Sequence, residues 1–119
     1  MILIKNIVNE SGSTGVDNTV AGRFSNILGG SNNYIAEGAD SVLLINCTNV
    51  TVQGGSVILP LAFVNTDSFI GENSIVGAGV LIDHDVKISS HSHLRMGTKV
   101  NSKVILPEEF ESKTGEVML

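Results

Sequence analysis

The feature that most constrains this chain is an aliphatic residue that recurs every six positions. The series has nine members without a gap: Val52, Ile58, Val64, Ile70, Val76, Ile82, Ile88, Leu94 and Val100. A helix requires a period near 3.6 and a half-buried strand a period of about 2, so neither accounts for the series. A strict period of six is typical of a hexapeptide β-helix, in which the chain winds as a triangular coil with the aliphatic residue pointing inward.

A second position of the hexad supports this fold. The residue four places after each aliphatic one is small or β-branched: Ser56, Ala62, Ser68, Ser74, Val80, Val86, Ser92, Thr98 and Val104. We expect it to fill the corner of the coil, where volume is limited. The aromatic content of 4% and the absence of Trp agree, because each thin layer has room for Ile and Val but not for bulky side chains. The predicted fold is all-β, a parallel β-helix over residues 52–104.

The first half of the chain repeats with a longer spacing. Val20, Ile27, Ile35 and Val42 lie seven or eight residues apart, within short apolar runs that follow a polar turn residue. Gly and Asn, which tolerate positive φ, lie around these runs. The pattern predicts Gly/Asn-rich β repeats over residues 16–51. Residues 1–15 are predicted as an N-terminal anchor strand and a flexible linker, and residues 105–119, which lose the hexad, as a C-terminal cap.

The distribution of charge limits the partners. A net charge of −5 argues against nucleic-acid binding. The segment 87–103 is the exception, since it holds Lys87, Arg95, Lys99 and Lys103 and no acidic residue. These four residues form either a solvated face or a patch for phosphates or acidic sugars.

Cysteine content and the N-terminal sequence bear on the compartment. Cys47 is the only cysteine, and its setting predicts a small buried filler rather than a nucleophile. The apolar run over residues 1–8 is too short to span a membrane and lacks the features of a secretory signal. We therefore expect a soluble protein without a signal peptide, a transmembrane segment or a membrane partner.

Residues 18–52 resemble the repeat stretches of trimeric bacteriophage tail and head fibres. The motif NTVAGRFSNILGGSNNYI over residues 18–35 carries the resemblance, together with INCTNVTV over residues 45–52. It is also similar to the head repeats of trimeric bacterial adhesins. The resemblance implies a stiff, non-catalytic homotrimer, located in the virion, that joins other virion proteins through its N-terminus. Its partner on a host surface could be a glycan.

Residues 57–97 resemble the left-handed β-helix of hexapeptide-repeat sugar acetyltransferases. The best match is IDHDVKI over residues 82–88, followed by His93 and Gly97. The resemblance implies a cytoplasmic enzyme that uses acetyl-CoA. In it His84 is the general base, Asp85 or a neighbouring carboxylate orients His84, and His93 assists. A histidine with a pKa near neutrality can take the proton of an acceptor hydroxyl or amine as it attacks a thioester. The other interpretation of His84 is a solvent-facing residue of an Asp-His-Asp turn.

A third candidate site is His91-Ser92-His93. Residues i and i+2 of a β segment share a face, so three chains around an axis could place six imidazoles together. Six nitrogen ligands suit iron or nickel. The fibre resemblance implies iron, because the spike and fibre tips that the chain resembles bind it in such clusters. If Ser92 points inward, however, His91 and His93 face out of the coil as two exposed histidines.

A stack this short buries little apolar area, which favours self-association. We expect a homotrimer from the shape of the coil and from the fibre resemblance. The favoured function is a trimeric β-helical fibre or spike-like phage component that attaches to or decorates a surface, with no required cofactor. The alternative is the acetyltransferase.

Overall fold

The six-residue period of the sequence is the spacing of the strands. The computed structural model describes residues 12–119, and over this range the chain is a β-solenoid of about six turns without a helix. From Thr51 onward a two-residue strand begins every six residues, interrupted only at Glu111, which makes a single bridge to His93. The all-β, parallel architecture predicted from the sequence is confirmed.

Sixteen strands form four parallel sheets in the described part of the chain. In chain order they are β1 (Gly12–Ser13), β2 (Thr19–Val20), β3 (Asn26–Ser31), β4 (Tyr34–Ile35), β5 (Leu43–Thr48), β6 (Thr51–Val52), β7 (Val57–Ile58), β8 (Phe63–Val64), β9 (Phe69–Ile70), β10 (Ile75–Val76), β11 (Leu81–Ile82), β12 (Lys87–Ile88), β13 (His93–Leu94), β14 (Lys99–Val100), β15 (Ile105–Leu106) and β16 (Val117–Met118). Sheet I contains β1, β3 and β5, and sheet II contains β2, β4, β6, β9, β12 and β15. Sheet III contains β7, β10 and β13, and sheet IV contains β8, β11, β14 and β16.

The cross-section of the solenoid changes at β6. Before it, each turn has one strand in sheet I and one in sheet II, and the register Thr19↔Tyr34↔Thr51 makes these turns 15 and 17 residues long. After it, each turn has one strand in each of sheets II, III and IV, and paired residues lie 18 apart, as in Phe63↔Leu81↔Lys99. Sheet II runs through both parts and joins them into one stack.

The core is a single column of aliphatic side chains inside the coil. It extends without a break from Ile27 to Leu106 and includes every aliphatic residue of the predicted series. The corner residues Ser56, Ser74 and Ser92 are also buried, and their hydroxyl groups satisfy the backbone there. The Ser56 Oγ, for example, donates to the Gly71 carbonyl at 2.7 Å and accepts from the Ser74 N–H at 3.0 Å. In the described chain no buried side-chain nitrogen or oxygen lacks a partner.

The turn between successive strands depends on one residue with positive φ. This residue recurs in twelve consecutive hexads with a φ between 52° and 76°, and from Gly55 to Glu109 it lies three places after each inward aliphatic residue. The twelve residues are Asn49, Gly55, Leu61, Asp67, Asn73, Gly79, Asp85, His91, Gly97, Lys103, Glu109 and Gly115. Asn, Asp and Gly are the residue types that adopt this left-handed conformation most readily, and they hold eight of the twelve places.

Both ends of the chain differ from the prediction. The hexad does not end at Val104, because β15 pairs with β12 and β16 with β14 in a further turn. The corner residues change there instead: Phe110 and Glu116 replace the small residues of earlier turns, and Phe110 packs against the end of the core. At the other end, Gly12 and Ser13 form β1 and belong to sheet I, not to a linker. Residues 1–11 of the predicted anchor lie outside the described residues.

At the left-handed corners, removing a glycine and introducing one should have opposite effects on the free energy of unfolding. Gly79 has a φ of 67°, and a Cβ placed on it meets no atom within 4 Å, so Gly79→Ala carries only the backbone cost. We expect it to lower the free energy of unfolding by about 1–2 kcal/mol. Lys103 has a φ of 65°, and we expect Lys103→Gly to raise that free energy by roughly 0.5–1 kcal/mol.

The measurement is chemical denaturation, with Lys99→Gly as the matched control. Lys99 lies in a strand, where glycine weakens the structure, so this control should lose stability. Equal losses for Lys103→Gly and Lys99→Gly would contradict the corner account.

Candidate functional site

His84 and Asp85 form a contact at the corner between sheets IV and II. The side-chain Oδ1 of Asp83 accepts from the His84 N–H at 2.8 Å, and Asp85 occupies the left-handed position with a φ of 59°. The Nδ1 of His84 lies 2.7 Å from Oδ2 of Asp85, and both side chains are 47% exposed. The carboxylate therefore favours the tautomer with the proton on Nδ1 and leaves Nε2 available as a base. The roles of His84 as general base and of Asp85 as its orienting group stay predictions.

His93 lies on a different side of the coil. It is on β13 in sheet III, where it pairs with Ile75 of β10 and bridges to Glu111. The chain passes from sheet IV through the His84 corner to sheet II, and through a second corner before it reaches sheet III. One chain therefore does not bring His84 and His93 together. The assisting role of His93 stays a prediction that would need a neighbouring chain.

The His91-Ser92-His93 segment has the orientation that the corner pattern implies. Ser92 is buried, and its Oγ donates to the Ser89 carbonyl at 2.7 Å, while His91 is exposed at a left-handed corner. His91 and His93 therefore face outward. Residues 12–119 contain no group of three or more His, Cys, Asp or Glu side chains arranged to hold a metal ion. An iron site at a three-fold axis stays a prediction about an assembly.

The four basic residues of segment 87–103 are distributed around the coil. Lys87 is on sheet II, Lys99 is on sheet IV, and Lys103 is at the corner between them, where its N–H donates to the His84 carbonyl at 3.2 Å. Arg95 follows β13 of sheet III and forms an ion pair with Glu111. The three lysines thus flank the His84 corner on successive turns, and Arg95 lies apart with its charge compensated.

Cys47 is buried inside the first half of the solenoid, which confirms its predicted packing role. Its thiol donates to the Ile45 carbonyl at 3.3 Å. Burial raises the pKa of the Cys47 thiol, because the thiolate would lose its hydration there. The residue is therefore a weak nucleophile in the folded chain.

The structure also has an apolar groove that the sequence analysis missed. It has a volume of about 540 Å³ and lies between β5 and the corner that joins β7 to β8. Leu43 and Ile45 of β5 line one side of the groove, and Leu59, Leu61 and Phe63 line the other. A second groove of about 390 Å³ continues along sheet IV and shares Phe63 with the first. The available signal was that apolar residues fill outward positions of the hexads between residues 58 and 64.

No protein-family model matches the chain, and no curated protein matches it in sequence. From Gly12 onward the structure contains no helix of the length and apolarity needed to cross a membrane.

The environment of Cys47 predicts slow thiol chemistry. A chromogenic thiol reagent at pH 8 should modify the native chain at least about tenfold more slowly than the chain unfolded in guanidinium, because Cys47 is buried in the folded chain and only an accessible thiolate reacts. Cys47→Ser is the blank, since the chain has no other cysteine. Equal rates for the native and unfolded chains would show that the thiol is accessible.

Proposed function

We propose that the protein is a structural component of a fibre or spike, as in a phage particle, and that three copies assemble side by side into a short rigid rod. The observation that carries the proposal is the continuity of the solenoid. One core extends from Ile27 to Leu106, and sheet II adds a strand at every turn from β2 to β15. A stack of this kind keeps its two ends at a fixed separation, which is the task of a spacer or attachment module.

The shape and the resemblances support the same function. The chain measures 40 × 23 × 20 Å, so it is elongated along one axis. Its three-stranded turns of 18 residues fit the left-handed hexapeptide type, and residues 18–52 resemble trimeric fibre repeats. In this proposal the N-terminal 15 residues join other virion proteins, and the C-terminal turns are distal and face a host-surface glycan.

The expected mass in solution tests the proposal directly. Light scattering of the full chain at micromolar concentration should give three times the 12.5 kDa chain mass. Electron micrographs of the same sample should show short rods. A monomer at these concentrations would overturn the fibre proposal, because that proposal requires three copies side by side.

A second candidate function, sugar acetyl transfer, is favoured by the contact between His84 and Asp85. The Nε2 of His84 would accept the proton of a hydroxyl or amine as that group attacks the acetyl carbon of acetyl-CoA. The new C–O or C–N bond forms as the C–S bond breaks, and the thiolate of CoA takes up a proton. Lys99 and Lys103, on the turn after His84, are suited to hold the phosphates of CoA.

The enzyme candidate makes a separate prediction. If His84 is the base, His84→Ala should lower the rate of CoA release in the presence of amino and hydroxy sugars by about 10²–10⁴-fold. His91→Ala is the matched control, because His91 is also exposed at a left-handed corner and should leave the rate unchanged. The absence of any rise in melting temperature with acetyl-CoA, together with no CoA release by the wild-type chain, would exclude this candidate.

A further inference from the structure

Leu61 stands apart from the other left-handed corners. It is the only apolar residue among the twelve and has a φ of 65°, although Asn, Asp and Gly suit that conformation better. Its side chain is 88% exposed, so it gains nothing from the core of its own chain. A residue that is unfavourable both in backbone conformation and in hydration points to a function outside the single chain.

Leu61 lies where the cross-section of the solenoid changes. The strand β5 extends over six residues and contains one left-handed residue, Asn46, with a φ of 51°. The next turn instead has two two-residue strands, β7 and β8, joined by a corner in which the Ala62 N–H donates to the Leu59 carbonyl. Sheet I ends at β5, and sheets III and IV begin at β7 and β8. The apolar groove lies at this junction, and Leu61 is one of the residues that line it.

Exposed apolar side chains continue from this groove along the rod. Phe63, Leu81, Lys99 and Val117 are register partners on sheet IV, so their side chains form one outward column. We define the apolar stripe as six exposed residues of β5, the groove and this column. These are Leu43, Ile45, Leu61, Phe63, Leu81 and Val117. With strands about 4.8 Å apart, the stripe extends over most of the turns and parallel to the long axis.

The area of the apolar stripe fits an interface between chains. From their exposed fractions, the six side chains present on the order of 600 Å² of apolar surface, if a fully exposed large apolar residue offers about 150–200 Å². This is the upper end of what a soluble monomer exposes, and most of the roughly 800 Å² that each partner gives to a standard interface. Within residues 12–119, the folded chain leaves this surface exposed.

The shape and charge of the stripe identify its occupant. A long, narrow surface parallel to the rod axis is covered along its whole length by an object of the same length and direction, and a second copy of the rod is such an object. The charged residues of this face are Lys99 and Asp83, and neither forms an ion pair within the described chain. They therefore leave one cation and one anion available for a neighbouring copy.

We propose that the apolar stripe is the surface on which copies of this chain associate, with Leu61 buried against the neighbouring copy. This inference rests on the proposed trimer and assigns its contact face. The unfavourable conformation of Leu61 is thereby explained, because the apolar area that it buries in the assembly offsets the cost in the isolated chain.

The experiment compares substitutions on two faces of the rod by light scattering. Leu81→Glu places a carboxylate in the middle of the stripe and should reduce the mass from three chains to one. Ile75→Glu is the matched control on sheet III, because Ile75 has the same outward hexad position in a central strand and an exposed fraction of 37%, against 46% for Leu81. It should leave the three-chain mass intact. Circular dichroism would verify that both variants keep their β structure.

A second variant separates assembly from folding. Leu61→Asn should weaken assembly, raising the dissociation constant at least about tenfold through the loss of buried apolar area. The same change should raise the melting temperature of a separate chain, measured in the Leu81→Glu background, because Asn suits the left-handed corner better. A general loss of fold would weaken assembly and also lower the melting temperature. Weaker assembly together with a higher melting temperature therefore identifies Leu61 as a contact residue.

The outcomes distinguish this inference from the proposed function. A wild-type monomer would overturn both. A three-chain wild type that keeps its mass in Leu81→Glu and Leu61→Asn would support the trimeric rod but overturn the stripe as its contact face. Equal dissociation by Leu81→Glu and Ile75→Glu would also overturn the stripe.

Discussion

The rest of the structure depends on a backbone that turns at a left-handed residue every six positions. This corner brings residue i+18 directly above residue i, so each strand meets its neighbour in register and the inward side chains form one column. Hydroxyl groups such as those of Ser56 and Ser74 satisfy the N–H and carbonyl groups that the bend removes from the ladder. Without the corner, the same aliphatic residues would have no common interior.

The junction between two kinds of turn makes this molecule more than a regular coil. The turns of β3 and β5 have a six-residue strand in sheet I, and the later ones have two short strands joined by a corner. Sheet I ends at β5, and an apolar groove lined by Leu61 lies between β5 and the corner that joins β7 to β8. The proposed assembly uses this irregular place, whereas the regular turns supply length and stiffness.

The two proposed functions place different demands on the chain. A fibre needs continuity and a face on which copies associate, and the stack and the apolar stripe are features of that kind. An acetyltransferase needs several groups to converge on one acceptor atom. Within one chain, the His84–Asp85 contact is present, but His93 lies on another side of the coil. The enzyme would therefore need a neighbouring chain to supply its second histidine. The fibre needs neighbouring chains for assembly but no convergence of side chains on one atom.

The sequence by itself determined the strand spacing, the inward residues and the small corner residues from Val52 to Val104, because one pattern repeats there with little interference from distant parts of the chain. It did not reveal the final turn, since Phe110 and Glu116 change the side chains at the corners while the backbone continues. The tertiary structure decided which outward residues share a face. That depends on how many strands each turn contains, and so the separation of His84 from His93 and the alignment of Phe63, Leu81 and Val117 emerge only when the turns are stacked.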